Sequence, residues 1–224
     1  MIKEQACFRP GRSTTGQLLK LTQHIEDGFQ TKKITGAVFV DLTAAYDTVN
    51  HRLLLQKVLK MTNDLHLTQF LGEMLSNRRF FVLLNNKKSR LRLQKNGLPQ
   101  GSVLAPFFYN IYTNDQPRDL QTKSFAYADD LCVTSQQPTF SAVEASLANA
   151  LNGLHQYYAE NSLKTNPAKT QVCSFHLKNR DANCPLNIMW NGQKLENCKH
   201  PKYLGVTLIA CLHSKNIFRT ARPK

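Results

Sequence analysis

The chain has 224 residues, 42% of them hydrophobic and 20% charged, a composition that supports a globular core and excludes a fibrous, collagen-like or disordered chain. No apolar run approaches the roughly 20 residues that span a bilayer, so no membrane partner is expected. Lys and Arg outnumber Asp and Glu by 29 to 15, a net charge of +14, which favours a polyanionic partner and nucleic acid above all.

The opening segment, MIKEQACFRPGRS, has no apolar stretch of secretory type. An intracellular protein of the nucleus or cytoplasm, not secreted, is expected. Residues 13–30, STTGQLLKLTQHIEDGFQ, open with hydroxyl caps and place Leu18, Leu21, Ile25 and Phe29 at helical spacing. GAVFVDL, 36–42, is apolar and β-branched and predicts a buried strand. Helices follow over 50–61 and 66–76, and FFVLLNNKKSRLRLQ, 80–94, reads as a hairpin turning at Asn85-Asn86. Residues 103–115 read as a helix with Leu104, Phe107, Phe108 and Ile111 on one side and Pro106 in its first turn.

FAYADDLCV, 125–133, reads as strand, tight turn, strand. Residues 140–160 carry an apolar stripe of Phe140, Val143, Leu147, Leu151, Leu154 and Tyr158. Strands are expected near 170–176, 186–190, 193–196 and 203–208, with Asn191-Gly192 as a hairpin turn. The order of elements is mixed, without regular βαβ alternation. It predicts an α+β fold: an antiparallel sheet backed by helices. The six cysteines, at 7, 132, 173, 184, 198 and 211, form no CxxC pair, so free and mostly buried thiols are expected rather than zinc ligands or disulfides.

Two acidic stretches stand out. Asp129 and Asp130 share a turn whose flanks, Phe125 to Ala128 and Leu131 to Val133, are apolar. A plain surface turn is the simple alternative, because Asp tolerates turn geometry. Asp41 ends the VFVDL strand, where a rigid sheet delivers a side chain into a cleft. If the two strands are neighbours, the carboxylates converge, and only cations make that inexpensive. Hard divalent ions, Mg²⁺ first, fit carboxylates plus substrate phosphates, and two of them can clamp an in-line phosphoryl displacement. Between the acids lies GLPQGSVLAP, 97–106, where Gly97, Pro99 and Gly101 shape a turn that another backbone could approach, and Ser102 can cap the next helix.

Read in order, QACFRPGRSTTGQL, VFVDLTAAYDTV, GLPQGSVLAP, FAYADDLCV, LKTNPAKTQ and PKYLGV resemble the reverse transcriptase of non-LTR retrotransposons, the LINE-type and jockey-like elements. The resemblance runs from about residue 5 to about residue 209. It implies a right-hand polymerase with interleaved fingers and palm over 1–209, a divergent tail over 210–224, and no thumb. It implies RNA-directed DNA synthesis, with an RNA template, a DNA primer and deoxynucleoside triphosphates as partners. It implies two Mg²⁺ ions, with Mn²⁺ as a substitute, held by Asp41, Asp129 and the Leu42 backbone carbonyl, with Asp130 beside them. By the same resemblance, Tyr46 closes the sugar pocket, Gln100 and Gly101 line the nucleotide and template, and Lys169 lies near the triphosphate. Arg9, Arg12, Arg78 and Arg79 are implied to meet nucleic-acid phosphates.

The sequence departs from the family at Cys7, where glycine is usual, and at Ile209-Ala210-Cys211 after YLGVTL. The expectation is a fragment of a longer polyprotein or a remnant of a decayed element. An inactive nucleic-acid-binding remnant is the alternative to a polymerase. An RNA-dependent RNA polymerase is opposed by Tyr46, which takes the room a ribonucleotide needs.

Overall fold

The computed structural model describes residues 4–177, 184–209 and 218–219. The tail expected over 210–224, with Cys211, lies outside the described residues apart from those two. Among the described residues there are five helices, α1 (Thr14–Gln30), α2 (His51–Thr62), α3 (Leu65–Leu75), α4 (Ala105–Tyr112) and α5 (Phe140–Glu160), and all but α4 begin at a capping side chain. Ser13, Asn50, Asp64 and Thr139 each accept a hydrogen bond from a backbone N–H in the first turn of α1, α2, α3 and α5. Asn63 takes the left-handed conformation that closes α2.

The central sheet joins β1 (Ile34–Val40), β7 (Thr122–Tyr127), β8 (Asp130–Gln137), β10 (Gln171–Phe175) and β13 (Glu196–Asn197) in the order β13-β10-β1-β8-β7. Its long pairings are antiparallel, as expected. At one edge β13 joins β10 in parallel, and beyond the other Gln5 makes a parallel bridge to Ala126. Short pieces surround it. β2 (Leu42–Thr43) pairs β9 (Lys164–Thr165), and β11 (Met189–Trp190) pairs β12 (Gln193–Lys194) across Asn191-Gly192. β14 (Lys202–Tyr203), β15 (Val206–Leu208) and β16 (Phe218–Arg219) form a separate small sheet.

β1 is buried along its whole length because both faces of the sheet are covered. Its side chains alternate between two cores. Ile34, Val38 and Val40 join Val143, Leu147 and Leu151 of α5 and Tyr109 and Tyr112 of α4. Ala37 and Phe39 join Leu18, Leu21 and Ile25 of α1, with Tyr203. Gly36 makes the α5 contact possible: a Cβ there would lie 2.3 Å from a Val143 methyl.

The stretch read as one hairpin is a ribbon of β3 (Arg79–Phe80), β4 (Leu83–Leu84), β5 (Lys87–Lys88) and β6 (Arg92–Leu93), turning at Asn85-Asn86 as expected. Both turn residues have positive φ, 47° and 60°, as a tight hairpin turn requires. α4 is shorter than the helix expected over 103–115, and its buried side differs. Phe107 is 41% exposed while Phe108, Tyr109, Ile111 and Tyr112 are all buried, because α4, with α2 against it, is enclosed around most of its circumference. Cys7, Cys132 and Cys173 are buried free thiols, but Cys184 is exposed and Cys198 half-buried, so burial holds for only part of the set.

Candidate active site

Val40 of β1 pairs with Leu131 of β8, and Tyr127 of β7 pairs with Asp130. One further step along the antiparallel register sets Asp41 opposite Asp130, with Asp129 in the adjoining turn. The three acids expected to converge therefore share one end of the central sheet. Their charges are felt there. The Asp130 carboxyl is held above the usual carboxylate range by partial enclosure, then by the charges of Asp129 and Asp41. Asp129 faces a different set: its charge adds to the burial that raises the Tyr46 and Tyr109 hydroxyls. Burial pushes the Cys7 thiol up to about 11, against hydrogen bonds that lower it, and Asp129 and Asp130 push the same way as burial.

The backbone of Asp41 is pinned from outside its own strand. Its N–H donates to Thr170 Oγ1 at 3.1 Å, and its carbonyl accepts from the Asn166 N–H at 2.9 Å. The Thr170 hydroxyl donates in turn to the Asn166 carbonyl at 2.9 Å. The NPAKT segment thus clips the strand end, and Lys169 rides on that clip. Leu42 follows in β2, opposite Thr165.

Tyr46 lies on Tyr109, with ring centroids 4.6 Å apart and planes 13° from parallel. The GLPQG loop covers the turn that carries Tyr46. Gly97 N–H donates to the Val49 carbonyl at 2.8 Å, Leu98 N–H to the Tyr46 carbonyl at 2.9 Å, and Gln100 Nε2 to Asp47 Oδ1 at 3.1 Å. The expected close approach occurs at Gly97, where a Cβ would come within 2.8 Å of the Asp47 carbonyl. At Gly101 the space is open, and the glycine is required by its φ of +86° alone. Ser102 does not cap α4 from the N-cap position, which Leu104 occupies; its hydroxyl accepts from the Leu104 N–H at 3.3 Å.

The cationic candidates sit on other elements. Arg9 donates to the Gln5 carbonyl at 3.3 Å, Arg12 closes the turn after it, and Arg78 and Arg79 begin the exposed ribbon. Three contributors escaped the sequence reading: Tyr109, which backs Tyr46; Thr170, which holds Asp41; and Gln5. Gln5 and Thr170 belong to motifs whose chemistry was assigned to neighbours, and Tyr109 lies just beyond GLPQGSVLAP, in α4.

Neither ion pair described, Lys57–Asp115 and Arg118–Glu4, takes in the three acids. Among the described residues no group of three or more His, Cys, Asp or Glu is placed so as to hold a metal ion by itself. Carboxylates at an open sheet end are nevertheless hard oxygen donors of the kind Mg²⁺ accepts, since that ion keeps waters and substrate phosphates in its shell. By donor chemistry and by their shared sheet end, Asp41, Asp129 and Asp130 fit such an ion with waters and substrate oxygens completing its shell.

A family model described as reverse transcriptase (RNA-dependent DNA polymerase) matches residues 1–208. Among curated proteins, the probable RNA-directed DNA polymerase from transposon BS of Drosophila melanogaster is 34% identical over 210 residues, which cover 90% of this chain and 23% of that protein. The RNA-directed DNA polymerase from mobile element jockey of Drosophila funebris is 28% identical, over 92% of this chain and 23% of that protein. The chain thus spans about a quarter of these relatives' length. Among solved structures, apo telomerase from Candida tropicalis, truncated from its C-terminal domain, superposes with a TM-score of 0.62 at 9% identity, covering 93% of this chain and 40% of that one. Telomerase from Candida albicans, in complex with a fragment of telomeric RNA, gives 0.58 at 12% identity, over 92% of this chain and 33% of that one. At such identities the likeness shows a shared fold.

Proposed function

Because the chain belongs to the reverse transcriptase (RNA-dependent DNA polymerase) family, we propose that it supplies the fingers and palm of an RNA-directed DNA polymerase from a non-LTR retrotransposon. The work would be extension of a DNA primer from deoxynucleoside triphosphates on an RNA template, in the nucleus or cytoplasm. No described helix is long and apolar enough to cross a membrane. The observation that carries the reading is the β1–β8 register, which brings Asp41 to the Asp129–Asp130 turn.

In this reading Asp41, Asp129 and the Leu42 carbonyl hold two Mg²⁺ ions, or Mn²⁺ in their place, and Asp130 completes the negative field. When bound, the ions supply activation of the primer 3′-hydroxyl and charge neutralisation on the triphosphate. The protein's own groups do the rest. Tyr46, backed by Tyr109, presents a ring that a 2′-hydroxyl would strike, so deoxynucleotides are selected by exclusion. Gln100 and Gly101, on the loop above Tyr46, line the nucleotide and template. Lys169 Nζ offsets triphosphate charge or gives a proton to the departing pyrophosphate. Arg9, Arg12, Arg78 and Arg79 meet backbone phosphates and confer salt dependence.

Primer extension on an RNA template with Mg²⁺ tests the proposal, using this chain and Asp129→Ala. Incorporation by the parent and its loss in the variant are expected. Salt-sensitive nucleic-acid binding with no incorporation by either chain would leave the inactive remnant as the better account.

A further inference from the structure

The turn that carries Asp129 contains an irregularity. Tyr127 and Asp130 pair, leaving Ala128 and Asp129 as a two-residue loop. Ala128 has a φ of 56°, in the left-handed region that glycine enters freely and alanine does not. The two-residue turn requires a positive φ there, which alanine meets only at a steric cost. The compensation comes from the far end of the chain.

Gln5 is buried, with 2% of its surface exposed. Its side-chain carbonyl accepts from the Ala128 N–H at 2.9 Å and from the Cys7 N–H at 3.0 Å. Its amide donates to the Ala128 carbonyl at 3.2 Å. One side chain thus takes both backbone polar groups of the left-handed residue. The segment bearing Gln5 is itself held against β7. Ala6 N–H donates to the Ala126 carbonyl at 3.0 Å, and Ala126 N–H to the Glu4 carbonyl at 3.3 Å. Gln17, also buried, donates to the Glu4 and Ala126 carbonyls, and Asn110 to the Cys7 carbonyl.

We infer that Gln5 is a positioning residue: its bonds to both backbone groups of Ala128 hold that residue left-handed and thereby aim Asp129, the next residue, into the site. The inference rests on the polymerase reading for its consequence, but not for the clamp itself. No other uncharged side chain of this length supplies an acceptor and a donor together. Glutamate keeps the accepting bonds, loses the donated one and brings a further negative charge beside Asp129 and Asp130. Asparagine falls one methylene short.

The test uses Gln5→Met, Ala128→Gly and the double variant, with amide hydrogen exchange at Ala128 and single-turnover primer extension. Gln5→Met is expected to accelerate exchange at Ala128 and to lower the extension rate about tenfold, the rate equivalent of straining one non-glycine residue, with nucleotide affinity unchanged. Adding Ala128→Gly, which enters the left-handed region without strain, is expected to restore most of the rate. A rate unaffected by Gln5→Met, or one that Ala128→Gly fails to restore, overturns the inference; Gln5 would then only anchor the N-terminal strand. If the parent extends no primer, the polymerase proposal fails, and exchange alone decides the clamp: faster in Gln5→Met supports it, unchanged refutes it. Should Gln5→Met not fold, Gln5→Asn, which shortens the reach by one methylene and adds no charge, is expected to give a loss of the same kind, and no change in rate or exchange there refutes the clamp equally.

Discussion

The contrast between β1 and the ribbon β3–β6 shows two ways in which this chain makes strands. Every residue of β1 is buried, and helices cover both of its faces. The strand residues of the ribbon are all exposed, although Phe80, Leu83, Leu84 and Leu93 are large and apolar. β1 owes its place to packing. The ribbon owes its shape to the Asn85-Asn86 turn and to local bonds, such as Ser89 N–H to the Val82 carbonyl at 2.9 Å. Exposed apolar residues interleaved with cations are what a nucleic-acid surface offers to bases and phosphates together. The acid end of the central sheet has features of both: a buried strand delivers Asp41, and a strained, exposed turn delivers Asp129.

The largest expected effect lies in β1. Gly36→Leu drives a side chain into Val143 and Leu147, which a Cβ alone would reach at 2.3 and 2.9 Å. A loss of about 3 kcal/mol in denaturant unfolding is expected. A loss under about 0.5 kcal/mol would show that β1 is not packed as described.

Next comes the polar interior. Lys57 Nζ donates to Asp115 Oδ1 and to the Tyr112 carbonyl, both at 2.7 Å, and to the Tyr157 hydroxyl at 3.1 Å. Lys57→Ala strands those groups and is expected to cost about 2 kcal/mol. Partial burial alone would raise the Asp115 carboxyl, but its bonds to Lys57 and Tyr157 bring it below the usual range. That contribution is therefore present above the ordinary carboxylate pKa and lost as pH falls through the depressed one. Urea midpoints measured against pH in the parent should fall in that window, and those of Lys57→Ala should fall less.

Asp130 should behave in the opposite sense. Its pKa is raised, so the folded state prefers the neutral acid, and the penalty grows as pH rises out of the ordinary carboxylate range. Asp130→Asn is expected to raise Tm at neutral pH and not at low pH. The gain stays below about 1 kcal/mol, because the group is exposed and solvent screens it. A fall in Tm at neutral pH would contradict the like-charge account of the acid end.

The smallest effect belongs to the ribbon. Leu83→Ser with Leu84→Ser should leave stability within about 0.5 kcal/mol, as surface changes do. Arg79→Ala should lower the salt slope of nucleic-acid binding by about one unit, with the fold unchanged. A clear loss of stability in the serine variant would place the ribbon with β1 and erase the contrast.

Much of this was legible beforehand. Capping residues and the stripe of α5 foretold Phe140–Glu160 as observed, and the two Asn-led turns foretold both tight hairpins. The acids announced themselves as carboxylates in apolar surroundings. α4 was misread on its buried side because a helix enclosed around most of its circumference has no single apolar stripe, so spacing could not rank Phe107 against Tyr109. Gln5 was passed over because a glutamine in a coil carries no periodic signal, and the residue it serves is 123 positions away.

Local pattern therefore determined what depends on neighbours in the chain: where helices start, where ribbons turn, and which residue types could do phosphoryl chemistry. Tertiary structure alone decided which strand lies beside which, that Asp41 meets the Asp129–Asp130 turn, and that Gln5 and Thr170 hold the two arms of that meeting. The reason is physical. A cap or a turn is satisfied within a few residues, whereas a left-handed alanine or a strand-end carboxylate is stabilised only by groups that folding brings from far along the chain.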